Sequence, residues 1–376
     1  MPGNNFDLEK GVYQAYKKDF QNGVVTVGNI CNANCFFCSQ KWNPPGVVQD
    51  LKRFLTIEEI GHFSRRYLKK VACVGSALHV NSGEFFFHPQ ALEILSMLAP
   101  LRNLNGVLVF TNGKILTEKH ARLFKKFGLT PSLSLSSADY ISQNIAARGN
   151  YFNRSAFGNS LSLLQKYKVD YSIWIVPSKT AFESGKLQKI INSLINWGVK
   201  TIIMHRPGYT RFTPKMVAEE LSIADASLLD FVAKNQKRGK ADIVFEVPEI
   251  QELLLQLHFA VRQLLKMKRI ANKKKLFLCP VPIEKKLSLV LSTLKIENYK
   301  IQSVKAEVFG GNVDCAGLLL IKDYIAAIDQ FFNSHHAWVP EVMILPQRSF
   351  DINLEDLSMT PARTLEEKYT TPVILA

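Results

Sequence analysis

The stretch Val24–Cys38, VVTVGNICNANCFFC, is an apolar segment of strand length that runs directly into three cysteines. Their spacing is Cx3Cx2C, at Cys31, Cys35 and Cys38. Three thiolates this close in sequence can wrap one metal centre from a single loop. Iron–sulfur clusters take thiolate ligands, and three of them leave one iron of a four-iron cluster open. Structural zinc demands four closed ligands. The residues that follow, Ser39, Gln40 and Lys41, supply no fourth. A zinc site completed by a remote ligand stays open as the alternative.

Working outward, apolar segments of strand length recur: Lys70–Val80, Gly106–Phe110, Ser132–Leu135, Asp170–Val176 and Val199–His205. Amphipathic stretches of helical period lie between them, among them Thr56–Lys70, Pro89–Leu98, Glu118–Phe127, Ala156–Lys168 and Lys186–Trp197. Strand alternating with helix predicts βα units, a parallel sheet and the α/β class. Six such units make either an open barrel or a doubly wound sheet.

The Cx3CxΦC pattern, with Phe37 as its aromatic residue, resembles the signature of the radical S-adenosylmethionine (SAM) superfamily. The resemblance implies a partial (β/α)6 barrel, a [4Fe-4S] cluster on Cys31, Cys35 and Cys38 as the catalytic and metal-ligating set, and SAM chelated by the open iron. Reductive cleavage of SAM to a 5′-deoxyadenosyl radical, and abstraction of hydrogen from an organic substrate, are the activity it implies. Phe37 would then lie beside the adenine. An electron donor such as flavodoxin or ferredoxin is implied as a partner.

Further segments match the family in the expected order. Asn81–Pro89, NSGEFFFHP, is similar to the GGE motif, with Ser82 in place of its first glycine. Gly83 would let the backbone approach the ligand, and Glu84 would face the SAM amino group, a role that usually falls to the backbone of the motif. Val107–Gly113, VLVFTNG, resembles the end of the third barrel strand, with Asn112 toward the cofactor. Ser136 ends the fourth strand and would approach the ribose or carboxylate of SAM. Arg148 offers the planar fork that suits a carboxylate. Val176–Pro177 closes the fifth strand candidate as a VP pair. These motifs fall at the C-terminal ends of strands, where parallel barrels carry their chemistry. His205, at the end of the sixth strand, reads more readily as structural than as substrate-facing.

The boundaries expected are an N-terminal extension over 1–20, the barrel over 21–235, a helical basic linker over 236–275 and a smaller α+β domain over 276–376. From Arg262 to Lys275 there are seven basic residues and no acid, which reads as a solvated helix face before it reads as a polyanion contact. The stretch Ala306–Tyr324, AEVFGGNVDCAGLLLIKDY, resembles a C-terminal domain of unknown function found in radical SAM-like bacterial proteins, as do Val342–Pro346, Asn353–Ser358 and the closing VILA. Gly310 and Gly311 would make a tight turn or a ligand-facing loop. Cys73, Cys279 and Cys315 form no CxxC pair and read as ordinary free thiols rather than ligands of a second cluster.

Composition sets the outer limits. The chain has 376 residues, 47% hydrophobic and 21% charged, enough for a large core. No apolar run is long enough to span a bilayer, and the N-terminus lacks the apolar region of a secretory signal, so the expected compartment is the cytoplasm. A formal charge of +15 favours an anionic substrate without selecting one. Nucleic acid is the less favoured partner. A basic zinc-binding or iron–sulfur protein without radical chemistry, contacting RNA, is the alternative function.

Overall fold

The computed structural model describes residues 8, 10–33, 35, 37–45, 47, 51, 53–75, 83–101, 103–136, 154–236, 241–246, 270, 272–351 and 353–376. The described residues of 1–43, 49–208 and 213–246 make one compact unit, and those of 44–48, 209–212 and 247–376 make a second.

The first unit is built on seven parallel strands: β1 (Val24–Val25), β2 (Cys73–Val74), β3 (Leu108–Thr111), β4 (Thr130–Ser136), β5 (Ser172–Val176), β6 (Thr201–His205) and β7 (Asp242–Glu246). Their order in the sheet is their order in the chain. A doubly wound sheet would reverse direction at a switch point, so sequential order decides for barrel-type winding, with the connecting helices on one face. Six strands were expected and seven are present among the described residues. The seventh lies inside the stretch expected to be a helical linker, where DIVFE pairs in register with Thr201–His205.

Local signals explain where helices begin. Helix α2 (Ile57–Arg66) starts on a capping box, with Glu59 N–H donating to Thr56 Oγ1 at 3.2 Å and Thr56 N–H to Glu59 Oε2 at 2.7 Å. Arg53 grips the same carboxylate through both guanidinium nitrogens, at 2.7 and 2.6 Å. Helix α3 (Glu118–Phe127) ends at Gly128, whose φ of 65° is the left-handed conformation glycine adopts without strain. The segment expected as an extension holds helix α1 (Lys10–Gln21). Its Tyr13 and Phe20 rings pack on Phe63 of α2 at 5.0 and 5.3 Å, so it belongs to the unit's core.

The second unit carries four strands, β8 (Lys275–Pro280), β9 (Tyr299–Val304), β10 (Val342–Leu345) and β11 (Val373–Leu375), in the order β11-β10-β8-β9. The smaller domain expected after the barrel is thus present as a second sheet, and every pairing in it is parallel. Phe277, Cys279, Leu287, Leu291, Val342 and Ile344 belong to its core. The Gly310–Gly311 pair serves as a tight turn. A side chain at Gly311 would meet Tyr209 O at 2.0 Å, and Asn312 exchanges hydrogen bonds with Tyr209. Among the described residues no helix is long and apolar enough to cross a membrane.

Candidate cluster and cofactor site

Cys31, Cys35 and Cys38 leave the C-terminal side of β1 on one loop, exposed or half-buried, and none of them is in a disulfide. Cys38 N–H donates to Cys35 O at 3.2 Å, which turns the chain between the second and third cysteine, and Lys41 N–H donates to Cys38 O at 3.2 Å as a short 3-10 helix begins. Ala33 N–H donates to Cys31 Sγ at 3.3 Å. Phe37 lies half-buried between the last two cysteines.

The loop is aligned from below by the segment that carries Gly83 and Glu84. Gly83 N–H donates to Gly28 O at 2.7 Å, and Glu84 N–H to Ile30 O at 3.1 Å. A β-carbon on Gly83 would stand 2.1 Å from Ile30 O and 2.7 Å from Ile30 C. Real β-carbons do not approach backbone this closely, so the glycine is required by packing against the strand that enters the cysteine loop. Glu84 is buried, and its carboxylate is saturated by protein donors. Oε1 accepts from Thr111 Oγ1 at 2.8 Å and from Phe86 N–H at 3.2 Å, and Oε2 accepts from Asn112 N–H at 2.7 Å. Burial pushes this carboxyl above its ordinary range, while the three donors and the charge of Lys114 pull the other way.

Asn112 connects β3 to the loop directly. Its Nδ2 donates to Asn32 Oδ1 at 2.7 Å and reaches Cys31 Sγ at 3.9 Å. Its own Oδ1 accepts from Lys114 N–H at 3.0 Å, and Gly113 follows with a φ of 71°. The sequence motifs from β1, the Gly83–Glu84 segment and β3 therefore meet at one place. Ser136 ends β4 in register with Val176, and nothing is described of its side chain. Ser82 and Arg148 lie outside the described residues. Sequence reasoning missed Thr111 and Asn32. Thr111 precedes the Asn-Gly pair, and its hydroxyl accepts from Gly113 N–H at 3.1 Å while donating to Glu84. His88 of the HP pair is structural. It accepts from Gln90 N–H at 3.0 Å through Nδ1, and its Nε2 lies 2.9 Å from Leu55 O.

Residues 25–167 match the model of the Radical SAM superfamily. This part of the chain is a radical SAM domain. The superfamily works with a [4Fe-4S] cluster and SAM. No curated protein matches the sequence. Similar solved structures include SuiB from Streptococcus suis (13% identity, TM-score 0.45, 61% of this chain and 50% of that one). The AdoMet-bound structure of anSMEcpe has 13% identity and a TM-score of 0.41, over 63% and 65%. A radical SAM methyltransferase from Sphaerobacter thermophilus has 11% identity and a TM-score of 0.43, over 59% and 65%. The chain spans half to just under two-thirds of the length of these structures.

The donor set suits such a cluster. Among the described residues no three His, Cys, Asp or Glu side chains gather around a single ion. A four-iron cluster makes a different demand, one thiolate on each of three irons, which suits sulfurs spread along a loop. Although Cys31 as a residue is exposed, desolvation of its sulfur and then the Glu84 charge push the thiol up to about 11, so a cationic partner would favour its thiolate. Iron supplies that charge.

Proposed function

We propose that the radical SAM domain binds its cluster through Cys31, Cys35 and Cys38 and acts on an organic substrate held on the concave face of the barrel. Cluster and SAM together supply reductive cleavage of SAM and removal of a hydrogen atom from the substrate. The chain's own residues position and shield that chemistry. Glu84 fixes the end of β3 against the loop, so that Asn112 stands beside Cys31. Gly83 keeps the backbone close enough to Ile30 for its own peptide groups, rather than the Glu84 side chain, to meet the SAM amino group. Phe37 packs against the adenine, while Ser136, Ser82 and Arg148 complete the cofactor's polar shell. A small protein of the flavodoxin or ferredoxin type would be the electron donor. A cytoplasmic location fits an oxygen-sensitive cluster. The barrel spans 21–246 in this reading, and the C-terminal unit follows it.

The observation that carries the proposal is the Glu84 brace, which joins the cysteine loop to the Thr-Asn-Gly strand end through buried hydrogen bonds. The decisive experiment purifies the protein without oxygen, reconstitutes iron and sulfide, adds dithionite and SAM, and measures 5′-deoxyadenosine by mass spectrometry. Its appearance in the wild type and absence in Cys35→Ala support the reading. A fully loaded cluster that leaves SAM intact, with or without candidate substrates, opposes it.

A further inference from the structure

The two faces of the sheet are filled differently. Alternate residues point to opposite faces of a strand. On one face Val109, Leu133, Ile175 and Met204 are sealed, at 2% exposure or less. On the other, Phe110, Ser134, Ile203 and His205 remain partly accessible although their strands lie inside the sheet. The connecting helices cover the sealed face, so the accessible row lines the concave side.

A wall of rings stands on that side. Phe110 and Trp174 belong to strands separated by β4, yet their ring centroids are 4.4 Å apart. They meet because β4 presents short side chains there, Ser132 beside Phe110 and Ser134 beside Trp174. His205 extends the wall, edge-on to Trp174 at 5.0 Å and 81°. Two polar atoms in this wall are buried without a hydrogen-bond partner, Trp174 Nε1 and His205 Nδ1. Trp174 as a whole is 2% exposed. Leaving such atoms unsatisfied costs about 1–3 kcal/mol each, and native structures keep few of them. Two on neighbouring rings mark a place made to receive polar groups. Burial, assisted by the charge of Arg206, lowers His205 to about 4, so the imidazole is neutral at physiological pH. Arg206 itself pairs with Asp225 at 3.3 Å. The described row from β3 to β6 offers only apolar, hydroxyl, indole and imidazole groups.

We propose that Phe110, Trp174 and His205 are the substrate-recognition wall of this enzyme, and that it takes an uncharged substrate bearing a flat, unsaturated amide-like group. The acceptor atom of that group receives the Trp174 indole N–H, its polar hydrogen faces His205 Nδ1, and its flat face lies on the partly accessible Phe110 ring. The wall thus selects against the anionic substrate that net charge alone suggests. The proposal deepens the reading of the barrel as a radical SAM active site and rests on it for the place where substrate sits.

The test uses benzamide and benzoate, a neutral and an anionic form of one flat ring, on the full-length protein. Indole N–H resonances report binding, and Trp174→Phe identifies the Trp174 signal among the four tryptophans. Benzamide is expected to shift the Trp174 signal. Benzoate is expected to bind at least about tenfold more weakly, the cost of leaving a charge unpaired in a neutral wall. Trp174→Phe keeps the ring and removes the donor, so benzamide affinity should fall about two- to tenfold. Equal or tighter binding of benzoate, no shift of the Trp174 signal, or unchanged affinity in Trp174→Phe overturns the proposal. The benzamide–benzoate comparison needs no variant, so a folding defect in Trp174→Phe leaves it decisive. Probe binding requires neither cluster nor SAM. Lost probe binding with intact 5′-deoxyadenosine formation defeats the recognition wall alone, whereas intact probe binding with uncleaved SAM defeats the reaction.

Discussion

Replacing Glu84 by glutamine changes one atom's chemistry at a buried junction and leaves its shape unchanged. The carboxylate has three neighbours, Thr111 O–H, Asn112 N–H and Phe86 N–H, and all three donate to it. A glutamine amide has one oxygen. If that oxygen faces Thr111 and Phe86, the NH2 group opposes Asn112 N–H across what was a 2.7 Å bond. If the amide is flipped, the NH2 group opposes Phe86 N–H, across 3.2 Å. The Thr111 hydroxyl can reverse its role, but a backbone N–H cannot. One buried N–H is therefore left unpaired in either orientation, which costs about 1–3 kcal/mol. For a unit of this size about 2 kcal/mol lowers the melting temperature by roughly 4–8 °C. The loss falls on Asn112, whose side chain holds Asn32 and borders Cys31. Calorimetry of the unloaded protein, followed by iron determination after anaerobic reconstitution, should show a lower melting temperature and a cluster lost more quickly to a chelator. Unchanged melting and unchanged iron retention in Glu84→Gln would mean that Glu84 is a protonated acid in the wild type, and the brace argument would be wrong.

Gly83→Ala forces a β-carbon onto Ile30 O; the strand must shift, at a cost of about 1–3 kcal/mol, and the iron retained after gel filtration should fall. Cys35→Ala removes a half-buried thiol outside the core, so urea unfolding of the unloaded chain should move by less than about 0.5 kcal/mol while the brown cluster absorbance disappears. His205 has a folded value near 4 against 6.5 when unfolded. Its burial is therefore fully accommodated above pH 6.5, and stability is lost as pH falls toward 4, by at most about 3 kcal/mol. His205→Phe should flatten the wild-type decline between pH 6.5 and 4 in urea melts, and parallel curves for the two proteins would refute the assignment.

Much of the site is legible in the sequence because it is local. The three cysteines lie within eight residues, and the Thr-Asn-Gly strand end is contiguous. Chemistry written on one loop can be read from that loop. What could not be read is the coupling between loops. Nothing in SGE says that its carboxylate is spent on the end of β3 rather than on a ligand. That depends on a parallel pairing between segments far apart in sequence. The wall of rings was hidden for another reason. Ile173–Val176 is apolar throughout because β5 is buried on both faces, so no alternation reveals which way Trp174 points. The seventh strand was concealed by length, since the five residues DIVFE, which follow a run of basic residues in the sequence, carry little periodic signal. Helix α1 was legible and overlooked: Val12, Tyr16 and Phe20 recur at helical spacing.

Ligation and alignment rest on different residues in this domain. The cysteines must stay reachable while a cluster is loaded, and a loop that is exposed or half-buried permits that. Catalysis needs fixed distances, which such a loop cannot supply by itself. The distances are set instead by buried and half-buried groups one step removed: Gly83 against Ile30, Glu84 on Thr111 and Asn112, and Asn112 on Asn32. Damage to these groups should loosen the cluster without unfolding the barrel, because the sealed face beneath β3–β6 does not depend on them. The ring wall is separate again. It lies on the concave row of β3, β5 and β6, and none of its described contacts reaches the cysteine loop. Substitutions at Trp174 should therefore change which substrate is held while iron content and SAM binding stay as they are, and substitutions at Glu84 should do the reverse.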